Sequence, residues 1–170
     1  SCAEAEVGKI YDGVLDWEAR EYQLDAIPET HTKAMLILSQ PERGMELSFY
    51  PNSGVGLMRM EFVIANSIRI HPMALVHWEG LKNKKEKGEI AKICRGYADK
   101  KEYFVDTLAQ AVGTIAAAFY PKEVLLRMSD FKSNEYAHLL GGSQFEVGEE
   151  NPMLGFRGAF RYTHERYKAA

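Results

Sequence analysis

The chain has 170 residues, of which 46% are hydrophobic and 26% are charged, and its formal net charge at pH 7 is −3. These values are ordinary for a soluble globular domain, and the length is sufficient for one hydrophobic core. The slight negative charge gives no reason to expect nucleic acid as a partner, and no apolar run approaches the roughly 20 residues that cross a bilayer. The two cysteines, Cys2 and Cys94, form no Cys-x-x-Cys motif, which favours a reduced, cytoplasmic protein.

The first 30 residues look like a separate segment. They begin without a methionine and lack the basic and apolar blocks of a signal peptide, so we expect a start that is processed or cut from a longer chain. Residues 7–15 have a β-rich composition that predicts a hairpin or an edge strand, and residues 17–24 fit a short strand or a linker. Residues 28–30 are typical of a loop. We therefore place a domain boundary near residue 30.

After this boundary, short apolar runs alternate with segments of helical periodicity. Residues 33–38 (KAMLIL) and 55–60 predict strands, and the first of them is expected to be buried on both faces, as in a parallel sheet. Residues 41–49 and 61–70 predict the helices that follow, and His71 with Pro72 is expected to close the second helix. The alternation indicates βαβ units.

The second half of the chain contains the clearest helix. Residues 102–119 place apolar side chains at every third or fourth position, and Pro121 follows as a terminator. Residues 81–94 are interpreted as a solvated helix rather than a basic patch, because glutamates interleave with the lysines. Residues 124–127 predict a third strand. Because a complete (β/α)₈ barrel takes roughly 250 residues, the pattern fits either a small open sheet or the first part of a barrel.

Arginines follow the second and third predicted strands. Arg59 ends one apolar run and Arg127 ends the other, with Glu61 and Asp130 just beyond them. Functional residues of α/β proteins gather at the carboxyl ends of strands, and a guanidinium fits phosphate or carboxylate at two points. A buried arginine needs a partner, which here is either a substrate anion or the nearby carboxylate. Because Arg157 adds a third arginine in a glycine-flanked turn, the set favours a shared anion site.

Other signals in the sequence are weaker. The five histidines show no metal-ligand spacing and are interpreted as structural or surface residues. Glu149 and Glu150 fit ligands for a divalent cation or, more simply, a solvated loop. Gly141 and Gly142 break a loop rather than bind phosphate, because no Gly-Lys-Ser/Thr sequence follows them.

Three segments resemble consecutive motifs of the phosphoenolpyruvate synthase (pyruvate, water dikinase) family of PEP-utilising enzymes. They read GVGLMRMEFVIANSIRIHPMAL, VLLRMSDFKSNEYAHLLGG and EENPMLGFRGAFRY, and the opening SCAE resembles the end of that family's swivelling phosphohistidine domain. The resemblance implies that residues 1–30 are the end of that domain with a linker. It implies that residues 31–170 are the N-terminal part of the PEP/pyruvate-binding (β/α)₈ barrel, with about three strand–helix units.

The family makes phosphoenolpyruvate, AMP and phosphate from ATP, pyruvate and water. The resemblance implies that a phosphohistidine carries the phosphoryl group into the barrel, where Mg²⁺ and arginines bind pyruvate or phosphoenolpyruvate. Arg59 and Arg127 match the substrate-binding arginines of the second and third strands, and Arg157 matches a further motif arginine near the phosphate. Such guanidinium groups neutralise the charge on the transferring phosphoryl oxygens.

The chain also departs from the family pattern. It lacks the ATP-binding domain and the Thr-Ser-His phosphohistidine motif, and we expect the Mg²⁺ ligands and the proton-donating cysteine on later strands. No catalytic residue or metal ligand is therefore assigned here, and the 170-residue chain alone is predicted to be inactive. Phe160 stands where the family has a small residue, which puts the packing of that turn in question.

Two alternatives stay open beside an enzyme segment. A truncated paralogue could serve as a PEP-binding or interaction module, because open sheet edges invite pairing with the rest of an enzyme or with a second copy. The second alternative is a small open α/β domain whose arginines form ordinary salt bridges.

Overall fold

The computed structural model describes residues 12–23, 27–28 and 30–170. Its centre is a parallel three-stranded sheet in the order β1 (Leu36–Leu38), β2 (Gly54–Arg59) and β3 (Glu123–Arg127). The helices are α1 (Gly44–Ser48), α2 (Met60–Val63), α3 (Pro72–Val76), α4 (Lys84–Ile93), α5 (Lys100–Phe119), α6 (Ser133–Ala137) and α7 (Ala159–Thr163). The predicted α/β class with a parallel sheet is confirmed, whereas closure into a (β/α)₈ barrel stays a prediction.

Helix α5 covers one face of the sheet. Ile115 and Phe119 of this helix are at most 1% exposed and share one hydrophobic core with Val55 and Met58 of β2. The helix begins where Asp99 accepts a hydrogen bond from the backbone N–H of Lys101 at 2.9 Å, which satisfies a donor that has no partner within the helix. The apolar periodicity therefore predicted this helix correctly to within two residues at its start.

The opposite face of the sheet is open. Ile37 of β1 is 64% exposed and Leu125 of β3 is 48% exposed. The prediction that the first strand is buried on both faces was wrong, because among the described residues helices cover one face only. The apolar run of β3 is similarly exposed, since β3 is an edge strand with a neighbour on one side.

The segment after β2 differs from its prediction. Instead of one helix over residues 61–70, α2 passes into a π-helical turn (Ile64–Ile68), which ends at Arg69 with a φ of 62°. His71 and Pro72 do not close a helix but begin α3. Pro72 suits the first turn, where a backbone N–H would lack a partner, and His71 Nδ1 accepts from Met73 N at 3.1 Å.

The remaining predictions concern the charged helix and the N-terminal segment. Helix α4 is the solvated helix predicted for residues 81–94, with Ile90 as its fully buried anchor. The hairpin or strand predicted for residues 7–15 lies partly outside the described residues, and residues 12–23 contain no strand. None of the helices in the described ranges combines the length and apolar composition of a membrane span.

Candidate anion-binding site

A cavity of about 550 Å³ opens at the carboxyl ends of β2 and β3. Its walls bring together the three arginines singled out from the sequence, namely Arg59, Arg127 and Arg157. Arg59 and Arg127 are paired in the register of the parallel sheet, so the two strands present them side by side. Arg157 arrives from the loop that precedes α7. Phe62, Phe131 and Met153 give the cavity an apolar component.

Arg127 is paired with a carboxylate from the neighbouring element. Its Nη2 donates to Glu61 Oε1 at 2.8 Å. Glu61 lies in the first turn of α2 and is only 8% exposed, whereas the Arg127 side chain is 45% exposed. Of the two partners considered for a buried arginine, Arg127 therefore has a carboxylate of the protein. Its side chain is nevertheless partly exposed and lines the cavity.

Arg157 forms a two-point ion pair with Asp130. Its Nε donates to Oδ1 at 3.1 Å and its Nη2 donates to Oδ2 at 2.9 Å. These charged hydrogen bonds hold the pKa of the Asp130 carboxyl below its ordinary value and raise the pKa of Arg157. The pair fixes the turn that carries Arg157 to the loop after β3.

Arg59 differs from the other two arginines. Its Nε is buried and has no hydrogen-bond partner among the described residues. The guanidinium carbon lies 6.0 Å from the centre of the Phe62 ring, so an aromatic face rather than a carboxylate accompanies the charge. A buried donor without a partner costs free energy, so Arg59 lacks, among the described residues, the compensation that Glu61 and Asp130 give the other two arginines.

A buried cluster of side chains around a fourth arginine, Arg161, was not predicted from the sequence. Arg161 is fully buried and its guanidinium carbon lies 4.3 Å from the ring centre of Tyr136 and 4.4 Å from that of Phe156. Its Nη2 donates to Glu146 Oε2 at 3.0 Å and to the Phe156 carbonyl at 2.8 Å. The aromatic residues around Arg161 could have indicated its burial, but they are far apart in the sequence. The cluster anchors the residue that immediately precedes Arg157.

His71 completes this buried cluster. Because its Nδ1 accepts from a backbone N–H, its Nε2 carries the hydrogen and donates to Glu146 Oε1 at 3.0 Å. Burial lowers the pKa of His71 despite the adjacent carboxylate, so the ring is neutral. This environment agrees with the structural role expected from the sequence.

The described residues do not form a site for Mg²⁺. They contain no group of three or more His, Cys, Asp or Glu side chains positioned to hold a metal ion. Of the three carboxylates in the cavity wall, Glu61 and Asp130 are bonded to arginines and Glu135 is bonded to Lys132. Glu149 is not solvated as expected: its Oε1 accepts from Phe156 N at 2.7 Å, and its Oε2 is buried without a partner in the described chain. Glu150 is exposed, in agreement with the loop reading.

Phe160 does not disturb the glycine-rich turn. It is 61% exposed, and its ring packs edge-on against Phe156 and His164 at centre distances of 5.8 and 5.2 Å. A large side chain fits at this position because it points away from the core.

Comparison with known proteins identifies the family. Residues 17–168 match the family model of the PEP-utilising enzyme, PEP-binding domain. The chain is 50% identical over 170 residues to the phosphoenolpyruvate synthase of Helicobacter pylori, covering all of this chain and 21% of that protein. It is 49% identical over 170 residues to the phosphoenolpyruvate synthase of Synechocystis, covering 99% of this chain and 21% of the relative. It is 40% identical over 168 residues to the phosphoenolpyruvate synthase of Escherichia coli, covering 99% of this chain and 21% of that protein.

The chain thus spans about a fifth of the length of these relatives. The matched family model, by contrast, covers nearly the whole chain. The chain belongs to the family of PEP-utilising enzymes, in which it matches the PEP-binding domain.

Proposed function

We propose that this chain is the part of a phosphoenolpyruvate synthase that binds phosphoenolpyruvate and pyruvate. The whole enzyme would convert ATP, pyruvate and water to phosphoenolpyruvate, AMP and phosphate. Arg59, Arg127 and Arg157 would bind the phosphoryl group. The observation that carries the proposal is the meeting of these arginines, from three separate elements, around one cavity.

The existing ion pairs leave room for a ligand. A guanidinium has several N–H donors, and the bond to Glu61 uses one nitrogen of Arg127. The cavity wall also carries Lys132, whose Nζ is 4.0 Å from the nearest carboxylate oxygen, that of Glu135. A small dianion therefore meets cations on several sides, while the aromatic rings fit its apolar end.

The proposal is tested by calorimetric titration of the chain with phosphoenolpyruvate and Mg²⁺. We expect Arg59→Ala and Arg127→Ala each to weaken binding by about tenfold or more, because a charged hydrogen bond is worth about 1.5–3 kcal/mol. The matched control is Arg43→Ala just before α1, since Arg43 is also paired with a glutamate, Glu46, at 3.0 Å but lies outside the cavity. Equal binding by the wild type and the two cavity variants would reject the site.

The proposal extends to the architecture. Residues 31–170 would form the first three strand–helix units of a (β/α)₈ barrel, and residues 1–30 the end of a phosphohistidine domain with its linker. In support, the three strands are parallel neighbours in sequence order, and the carboxyl ends of β2 and β3 face the cavity. Mg²⁺ would be held by carboxylates outside this chain, the location would be the cytoplasm, and the chain alone would be inactive.

A second candidate is a binding or interaction module without catalysis. The exposure of Ile37 and Leu125 on the open sheet face favours it, because such a face pairs readily with the rest of an enzyme or with a second copy of the chain. Both candidates use the same anion cavity, and they differ in whether further strands are supplied.

A further inference from the structure

Glu61 connects the cavity arginines to one another. It follows Arg59 by two residues and lies almost buried in the first turn of α2. One oxygen, Oε1, accepts two hydrogen bonds, from Arg127 Nη2 at 2.8 Å and from the backbone N–H of Asp130 at 2.7 Å. A single carboxylate thus holds both the second arginine and the loop after β3.

The connection continues from Asp130 to the third arginine. While its backbone N–H is held by Glu61, both of its carboxylate oxygens accept hydrogen bonds from Arg157. Arg157 is therefore tied to α2 through Asp130 and Glu61, although it lies 96 positions after Glu61 in the sequence. A shift of the Glu61 side chain would release Arg127 directly and Arg157 indirectly.

We infer that Glu61 is a positioning residue of the anion site, which orients Arg127 directly and Arg157 through Asp130. The inference rests on the proposed function. It is not the obvious role for a carboxylate beside an anion, because its charge alone repels the ligand. Charge repulsion predicts that removing the carboxylate strengthens anion binding, whereas positioning predicts that binding weakens. The two roles are therefore separated by the sign of the effect.

The test compares two substitutions that remove the same charge from the same cavity. Glu61→Gln keeps the size of the side chain but weakens its bonds to Arg127 and Asp130. Glu135→Gln is the matched control, because Glu135 lines the cavity and is bonded to Lys132 rather than to an arginine.

We expect Glu61→Gln to weaken phosphoenolpyruvate binding about tenfold, since charged hydrogen bonds are lost. Glu135→Gln should instead strengthen binding, because it removes a negative charge from the cavity wall without releasing an arginine. Unchanged or tighter binding by the Glu61 variant would overturn the inference.

A measurement without ligand keeps the two proposals separate. Nuclear magnetic resonance of the guanidinium groups reports the Nε–H of Arg157 and the rotation of the Arg127 side chain in the empty protein. We expect Glu61→Gln to alter both signals and Glu135→Gln to alter neither. Unaltered signals in a folded Glu61 variant would refute the positioning role even if the chain bound no phosphoenolpyruvate. Failure of the wild type to bind would refute only the proposed function.

A second variant covers the case in which Glu61→Gln does not fold. Asp130→Asn changes a side chain that is 36% exposed, so the fold should tolerate it. It cuts the link between Glu61 and Arg157 but leaves the bond between Glu61 and Arg127. We expect a changed Arg157 signal with an unchanged Arg127 signal, and an unchanged Arg157 signal would overturn the proposed connection.

Discussion

At the scale of single residues, Arg161 is a buried cation whose charge is balanced by Glu146. Both side chains are at most 3% exposed. Arg161→Met should lower the free energy of unfolding by about 3–5 kcal/mol, because the variant leaves the Glu146 charge buried without its main partner. Urea denaturation measures the loss. Arg43→Met, which breaks the exposed pair with Glu46, should lower the free energy of unfolding far less, because water screens that pair. Equal losses from the two variants would contradict this account.

The same cluster makes stability depend on pH. Burial by itself raises the pKa of Glu146, but hydrogen bonds from His71 and Arg161 outweigh it and lower the pKa from 4.5 to about 2. Between these two values the unfolded chain binds more protons, so this contribution is present above about pH 4.5 and is lost as the pH falls towards 2. The pKa of His71 is also lowered from 6.5, so its contribution likewise decreases as the pH falls below that value.

We therefore expect the free energy of unfolding to fall on acidification, by about 2 kcal/mol for Glu146 alone between about pH 7 and about pH 3. Urea denaturation from about pH 7 to about pH 3 measures the decline, and Glu146→Gln should flatten it at a lower overall stability. Glu46→Gln is the control, because water screens its exposed pair with Arg43 and its removal should change the slope far less. A wild-type stability that rises on acidification would contradict the sign.

The candidate site was partly predictable at this scale. Arg59 and Arg127 could be located because each ends an apolar run, and the carboxyl ends of parallel strands meet at one edge of a sheet. Their partners could not be assigned, since Glu61 might equally have paired with Arg59 on its own strand. The sequence around Arg161 gave no local sign of burial, because the rings that pack on its guanidinium come from distant positions such as Tyr136 on α6 and Tyr167.

At the scale of elements, the turn at Gly141 fixes how the loop after α6 meets α3. Gly141 has a φ of +77°, and an added Cβ would lie 2.6 Å from Ala74 Cβ. Gly141→Ala should therefore lower the free energy of unfolding by roughly 2 kcal/mol or more, from backbone strain and overpacking together. Thermal unfolding gives the comparison.

The matched control lies in α5. An added Cβ at Gly113 would meet no atom within 4 Å, and the residue is exposed in the middle of the helix. Gly113→Ala should raise the free energy of unfolding by about 0.8–1 kcal/mol, the difference in helix propensity. Changes of the same sign in the two glycine variants would show that backbone conformation is not what distinguishes them.

Helices and strands that have a clear local sequence pattern were predicted well. Those whose conformation depends on neighbouring elements were not. The period of α5 and the glycine-bounded run of β2 are local properties, so both were located to within two residues. The π-helical turn after α2 has no such local mark, because its residues continue the same apolar pattern. The start of α3 was misread because a proline suits both the residue after one helix and the first turn of the next.

At the scale of the whole molecule, the open sheet face should make the isolated chain associate. Leu125→Lys places a charge on the exposed face of edge strand β3 and should shift the chain towards monomer, as measured by light scattering over a range of concentrations. Val105→Lys is the control, since Val105 is 63% exposed but lies on α5, away from the sheet edge. A wild-type chain that stays monomeric at high concentration would contradict the prediction.

The fold class followed from the sequence, but the extent of the sheet did not. Alternating strands and helices predict parallel pairing, and the order of the three strands agrees. A strand has the same apolar sequence pattern whether the second face of its sheet is covered or open, so the exposure of Ile37 could not be predicted. Whether further strands complete a barrel therefore stays a prediction.

The side-by-side placement of Arg59 and Arg127 has one more consequence. Adjacent parallel strands lie about 4.8 Å apart, so two like charges in register repel one another across the end of the sheet. Glu61 offsets part of this repulsion, but it bonds to Arg127 alone of the two. An anion between the arginines would act as a counterion for both strands. Substrate would then serve as a structural component that holds the end of the β2–β3 ladder together, and the empty ladder would open first at this end.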